Sequence, residues 1–355
     1  MIFLMGERLI DQFHAIIHEN LGYQVSGCIQ VTGGNSRVYK IHCADGTHLI
    51  AKVYPSMEQD PRNRLKTEFS AFSFLRKNGI QQIPEPLYAA HDCRIGVYSF
   101  IVGDRVPHGQ ITVEDINCVV AFIKDLYILR KQPESIDQPS ASEACFSFQC
   151  YLDHINRRLK PFHHLENSTD QHRAVKVFLS EELDPLYEDI KDDYIKQISS
   201  LGLGLTDELP VKCRTLSPSD FGFHNALRQP DGRIIFLDFE YFGWDDPAKL
   251  IIDFIQHPAQ CIPYPARNIF INETMQVFQH DPQLAPRVRL LYPILGLKWC
   301  LIMLNEFLPG YLERRQSADA TLNIEEVLRI QLEKARRHLS HIRPCVASDV
   351  PFTLS

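Results

Sequence analysis

Asp220, Asn225 and Asp238 are the residues whose types and spacing point most directly to chemistry. They lie in Ser217-Pro-Ser-Asp-Phe-Gly-Phe-His-Asn-Ala-Leu227, followed by Ile234-Ile-Phe-Leu-Asp-Phe-Glu240. Asp220 and Asn225 bracket a short polar loop. A strand pair around 226–238, with Pro230-Asp231-Gly232 at its turn, then returns Asp238 to the same neighbourhood. Two carboxylates and one amide oxygen can thus surround a small site. Such hard oxygen ligands suit Mg²⁺, which keeps several waters and commonly binds through few protein groups plus substrate phosphates.

This segment resembles the catalytic region of the aminoglycoside phosphotransferase and choline kinase-like small-molecule kinases, whose loop reads roughly H-x-D-x-x-x-x-N. The resemblance implies that Asp220 is the catalytic aspartate, Asn225 a metal-binding asparagine and Asp238 the second metal ligand. Asp238-Phe239-Glu240 is similar to the choline-kinase version of the stretch that opens D-F-G in protein kinases. Further parts appear upstream in the family's order. Thr32-Gly-Gly-Asn-Ser-Arg37 lies between two strand patterns, and Gly33, Gly34, Asn35 and Ser36 are candidates for backbone contact with phosphates. Lys52 in Leu49-Ile-Ala-Lys-Val53 looks like the V-A-I-K lysine. Glu68, 16 residues later on a predicted helix, stands where the family places its partner.

What the resemblance implies is an ATP- and Mg²⁺-dependent phosphotransferase acting on a hydroxyl of a small molecule: an amino sugar, amino alcohol or sugar. ATP is expected near the connection around Ser99–Val102, with Lys52 on its α/β-phosphates and Asp220 taking the acceptor's proton. Two departures stand out. Pro218 replaces the family's histidine, and Leu250 stands where an aspartate is usual, so Asp246 or Asp253 is expected to brace the loop instead. These departures motivate a rival reading, a catalytically inactive kinase-fold binding or regulatory protein. A protein kinase is a weaker rival, because no A-P-E segment follows Asp238. His224 reads as a structural residue of the loop. Glu240 is a candidate for a second metal or a substrate amine, and Trp299 and Glu306 for the acceptor site, with core packing as the plainer role of the Trp.

The elements that must position these residues follow from periodicity. Val25–Val31, Arg37–Ile41 and Leu49–Val53 read as strands, with Asp45-Gly46 as a hairpin turn. Residues 63–77 read as a helix stopped by Asn78-Gly79, and two more strands follow near 87–90 and 94–101. Beyond Val102-Gly103-Asp104 the patterns are mainly helical: one helix through Ile116, Val120, Ile123 and Tyr127, then 144–160, 171–199 with a break at Asp184-Pro185, 286–307 and 323–340. The expected class is α+β, a two-lobed protein-kinase-like fold. Residues 1–101 would form an antiparallel-sheet nucleotide lobe with one helix, and 102–355 a larger helical catalytic and acceptor lobe.

Composition narrows the alternatives. The chain has 355 residues, 45% of them hydrophobic, enough to bury a sizeable core. A net charge of −7 argues against a nucleic-acid partner. The stretch Leu290–Leu308 contains Pro293, Lys298, Asn305 and Glu306, so it reads as a buried helix rather than a membrane span. The N-terminus lacks the pattern of a signal peptide, and a cytoplasmic protein is expected. Ten dispersed cysteines without a C-x-x-C pair fit reduced thiols. Cys145 and Cys150, the closest pair, have no evident histidine or cysteine cluster beside them, and zinc is not expected. Neither the acceptor nor the oligomeric state can be read from these residues.

Overall fold

The computed structural model describes residues 2–31, 36–56, 58, 60–107, 109–166, 168–312 and 323–347. Its contacts group the chain into two compact units: residues 1–142 with 216–244, and residues 143–215 with 245–355. The expected division at 101/102 separates a nucleotide part from an acceptor part. The compact units follow a different line, placing 102–142 and 216–244 with the strand-rich segment.

In the first unit, helix α1 (Ile2–Leu21) precedes strands β1 (Val25–Val31), β2 (Arg37–Cys43) and β3 (His48–Val53). Helix α2 (Arg64–Lys77) and strands β4 (Pro86–Ala90) and β5 (Ile95–Ser99) follow. The strands form one antiparallel sheet in the order β1-β2-β3-β5-β4. Helix α1 has no counterpart in the sequence reading. It forms because Phe13, Ile16 and Ile17 recur at helical spacing and bury against Val25, Ile41, Leu49 and Val97 of the sheet. Helix α2 starts where the Asn63 side chain accepts a hydrogen bond from the Lys66 N–H. It stops at Asn78-Gly79, where Gly79 takes a φ of 88°, a conformation that suits glycine.

A short strand β6 (Asp104–Arg105) leads to helix α3 (Val113–Leu129), whose start is closed by a reciprocal Thr112–Asp115 capping box. Strands β7 (Ala226–Arg228) and β8 (Ile234–Phe236) form the expected hairpin, and β6 pairs with β7. Gly232 turns the hairpin with φ 86°. Arg228 is tied to Asp115 of α3 by a part-buried ion pair, which anchors the hairpin to that helix.

The second unit is helical: α4 (Phe148–Phe162), α5 (Asp170–Phe178), α6 (Asp184–Ser200), α7 (Pro247–Gln256), α8 (Tyr264–Val277), α9 (Leu284–Met303) and α10 (Ile324–Ala347). The break expected at Asp184-Pro185 does not occur. A π-helical turn at Leu179–Leu183 joins α5 to α6, and Pro185 falls in the first turn of α6, where a missing N–H is tolerated. The apolar run near 290–308 is largely α9, buried as expected. Phe254 of α7 stacks on Phe270 of α8 with ring centroids 4.2 Å apart. Gly296 of α9 lets Ile342 of α10 approach to 2.6 Å from where a β-carbon would stand. Among the described residues, no helix is long and apolar enough to cross a membrane.

Candidate active site

Lys52 lies on β3 between Val38 of β2 and Gly96 of β5, in the middle of the sheet. Its ammonium reaches Glu68 of α2 at 2.6 Å, Asp238 at 2.6 Å and Glu240 at 3.5 Å. Glu68 is also held by the Tyr54 hydroxyl at 2.5 Å, and Tyr54 meets the Tyr98 hydroxyl at 2.7 Å. The Lys52 and Glu68 side chains are buried, whereas the Asp238 side chain is 34% exposed. The lysine therefore has one fixed partner on the helix and one partner at the solvent side. Burial opposes the charge on Lys52, but Asp238, Glu68 and Glu240 outweigh it and hold its pKa well above the usual lysine value. Burial raises the pKa of Glu68, and the neighbouring Asp238 and Glu240 carboxylates add to the rise against the pull of Lys52.

Glu240 belongs to a second buried network. Arg64, the first residue of α2, pairs with Glu240 and with Asp60. Ser36 Oγ donates to Glu240 Oε2 at 3.2 Å. Burial opposes ionisation of Asp60, but hydrogen bonds from Arg62 and Arg64 hold its pKa well below the ordinary carboxylate range. The Tyr241 ring lies about 5 Å from both guanidinium groups, at 4.9 Å from Arg62 and 5.1 Å from Arg64. Glu240 thus fixes the start of α2, and α2 in turn presents Glu68 to Lys52. The metal or amine role expected for Glu240 has no support in these contacts, which are structural.

The loop 217–225 is held by short local bonds. Ser219 N–H donates to Ser217 Oγ at 3.0 Å, and Ser219 Oγ donates to the Ser142 carbonyl at 3.1 Å. These bonds fix the backbone around Pro218. His224 Nε2 lies 2.9 Å from Asp220 Oδ1, and Asn225 Nδ2 donates to the Asp220 carbonyl at 3.1 Å. The Leu237 N–H donates to the Asn225 carbonyl at 2.8 Å, which carries the hairpin ladder on to Asp238. Ser219 (φ 70°) and Asp238 (φ 65°) adopt left-handed backbone next to or at candidate site positions. Such conformations are costly for residues other than glycine and persist where the surroundings over-determine them. Phe122, Phe221, Phe236 and Phe239 supply those surroundings, with ring centroids 4.6–5.9 Å apart beneath the loop and the hairpin end.

The structure thus joins Lys52, Glu68 and Asp238 directly. It links Asp220 to Asn225, and Asn225 to the residue before Asp238. Ser36 reaches the site through Glu240. Gly33, Gly34 and Asn35 lie outside the described residues. Sequence reasoning missed Asp60, Arg64, Tyr54 and Tyr98; the four-residue spacing of Asp60 and Arg64 at a helix start was their available signal. In the second unit, Asp246 caps α7 and binds Arg287 and Tyr151, while Asp253 binds Lys298, Lys249 and Trp299. Glu306 accepts from Gln331.

The donor set suits a hard cation. With Asn225 Nδ2 committed to the Asp220 carbonyl, the amide oxygen is the end that could face a ligand, and Asp238 follows the residue that pairs with the Asn225 carbonyl. Glu68, Asp238 and Glu240 bring oxygen atoms within 4.8 Å of one another; Lys52 pairs with Glu68 and Asp238 and Arg64 with Glu240, and of the three carboxylates only Asp238 is open to solvent. Asp238 is therefore the carboxylate best placed for Mg²⁺.

Comparison with known proteins adds the architecture. No family model matches the sequence, and no curated protein is similar to it. Solved structures do match. An AMP-bound spectinomycin phosphotransferase superposes with a TM-score of 0.61 at 12% identity, covering 90% of this chain and 97% of that one. The choline kinase LicA from Streptococcus pneumoniae gives 0.57 at 12% identity, with 94% and 99% covered. An amicoumacin kinase in complex with AMP-PNP, Ca²⁺ and amicoumacin gives 0.57 at 15% identity, with 93% and 91% covered. The chain has the fold of these small-molecule kinases. The expected α+β kinase-like class is thereby borne out, with its small antiparallel sheet and larger helical part. Within that kinase-like fold, β3 carries Lys52, α2 carries Glu68, and the hairpin β7–β8 delivers Asn225 and Asp238.

Proposed function

We propose that this chain is an ATP- and Mg²⁺-dependent phosphotransferase that transfers the γ-phosphate to a hydroxyl of a small molecule. The observation that carries the reading is Lys52 held between Glu68 and Asp238, with the Asp220–Asn225 loop continuous with Asp238 through the hairpin. The kinases that share the fold act, by their names, on spectinomycin, choline and amicoumacin, which supports a small-molecule acceptor.

Lys52 would hold the α/β-phosphates, its direction set by Glu68. Asn225 and Asp238 would hold Mg²⁺, which when bound offsets charge on the phosphates. Asp220, steadied by His224, would receive the proton of the acceptor hydroxyl as its oxygen bonds to the γ-phosphorus and the bond to the ADP oxygen breaks. Positioning and charge stabilisation supply most of the catalysis in such transfers, so this short list of groups suffices. The acceptor class is an amino sugar, amino alcohol or sugar.

The test is an acceptor screen with purified chain and Mg·ATP, following ADP release above the background without acceptor. Turnover on a hydroxyl compound, with phosphate recovered on that compound, supports the reading. Nucleotide binding without turnover across the three acceptor classes replaces it with the inactive, regulatory alternative.

A further inference from the structure

Cys145, Cys150 and His154 converge in the second unit, away in function from any of the phosphate chemistry above. Cys150 is the third residue of α4, and its N–H donates to the Ser147 cap at 3.3 Å. His154 stands one turn later on the same face. Cys145 precedes the cap and is buried, whereas Cys150 and His154 are part-exposed. Cys145 Sγ lies 3.4 Å from Nδ1 and 3.9 Å from Nε2 of His154, and Cys150 Sγ lies 3.8 Å from Nε2. The three candidate ligand atoms all fall within 4.8 Å of one another. The sequence shows no evident histidine or cysteine cluster beside Cys145 and Cys150, and zinc is not expected from it; the helix brings His154 to them.

We propose that Cys145, Cys150 and His154 form a binding site for one zinc ion. Nε2 is the nitrogen that both sulfurs reach. Tetrahedral zinc with ordinary bond lengths needs sulfur–nitrogen edges of about 3.6 Å, and the two edges here are 3.9 and 3.8 Å. Cys145 Sγ lies nearer Nδ1 than Nε2, so closing the set on Nε2 also requires the His154 ring or the Cys145 side chain to turn. In the metal-free chain the thiols donate weakly to backbone, Cys145 to the Glu143 carbonyl and Cys150 to the Ala144 carbonyl. Binding would form two Zn–S bonds and one Zn–N bond and release the two thiol protons to solvent. Two thiolates neutralise the ion, and solvent supplies the fourth ligand on the part-exposed side. The ion would fasten the segment before α4 to the first turns of that helix.

The full-length chain, reduced and freed of metal, is titrated with Co²⁺ and then Zn²⁺. One equivalent of cobalt is expected, with thiolate charge-transfer absorption and the strong visible bands of tetrahedral cobalt, displaced by zinc. Cys150→Ser and His154→Gln should each lose the charge-transfer bands or weaken zinc binding at least 10-fold. Both positions are part-exposed, so two independent variants report; far-ultraviolet circular dichroism identifies a variant that has not folded. Zinc should also raise the melting temperature of the parent chain and leave that of Cys150→Ser unchanged. Failure of the reduced parent chain to take up cobalt overturns the proposal. Uptake unchanged in a folded variant does the same, as does a Cys145–Cys150 disulfide with no metal uptake after its reduction.

Discussion

Asp220 is held from two directions: its carboxylate by His224 and its carbonyl by Asn225. These contacts fix the direction of the carboxylate that the proposed mechanism uses as base. Asp220→Ala should lower turnover about 10²–10⁴-fold, the range of a general base, with nucleotide affinity unchanged. Steady-state kinetics on the true acceptor check this, and near-normal turnover would remove Asp220 from the chemistry. The contacts among Asp220, Asn225, Asp238, Lys52 and Glu68 could be anticipated from the sequence because they depend on local spacing: a five-residue loop, a hairpin return, a strand followed by a helix. Glu240 was legible as a residue of interest but not in its role. Its partner Arg64 lies 176 residues away, and nothing local announces that pairing. The Cys145–Cys150–His154 cluster was missed for a different reason. Its histidine follows the cysteines at helical spacing, where a search for paired cysteines does not look.

Helix α2 depends on Arg64 more than on its own sequence. The helix has only modest amphipathicity, but its first residue compensates two buried carboxylates, Asp60 and Glu240. Arg64→Ala leaves Glu240 without its nearest cation and Asp60 with Arg62 alone. Breaking a buried pair from one side costs about 3–5 kcal/mol, and that loss should appear in urea unfolding of the variant. Activity should fall as well, because Glu68 is carried on the same helix; full stability in Arg64→Ala would contradict this account. Helix α10 carries a different liability. His338 Nε2 is buried without a hydrogen-bond partner, and burial, helped by His341 and Arg267, lowers the ring's pKa to about 4. Between that value and the ordinary 6.5, the unfolded chain binds a proton that the folded chain refuses. Stability therefore falls as pH drops through this window. For one such group the loss from pH 7 to pH 5 is on the order of 1–2 kcal/mol. His338→Leu should remove that part of the pH dependence while the rest of the curve persists. An unchanged curve would mean that the ring meets solvent when charged. Most element boundaries could be anticipated to within a few residues. Helices α1, α7 and α8 had no counterpart, α1 because its apolar residues were weighed only as a leader, and the π-helical turn could not be foreseen, because Pro185 reads as a break whereas it falls in the first turn of α6, just after that turn.

At the scale of the molecule, residues 204 positions apart, Ser36 and Glu240, meet in one compact unit, and the segment 143–215 belongs to the other. Lys52, Glu68, Asp220, Asn225 and Asp238 all belong to the first unit, so we propose that nucleotide binding is a property of that unit. The site brings three carboxylates, Glu68, Asp238 and Glu240, against two cations, Lys52 and Arg64. Nucleotide phosphates add negative charge beside Asp238, and without a divalent cation that charge is poorly compensated. Hydrogen exchange in the presence of AMP-PNP tests both statements. With Mg²⁺, protection should rise in peptides covering 48–53, 64–77 and 220–238, and much less in those covering 148–200 and 264–303. Without Mg²⁺, the same peptides should return most of the way to their nucleotide-free rates. Equal protection of the two units would assign nucleotide binding to the whole chain rather than to the first unit. Undiminished protection without Mg²⁺ would show that Lys52 and Arg64 compensate the phosphates unaided, and Asp238 would then lose its place as a metal ligand.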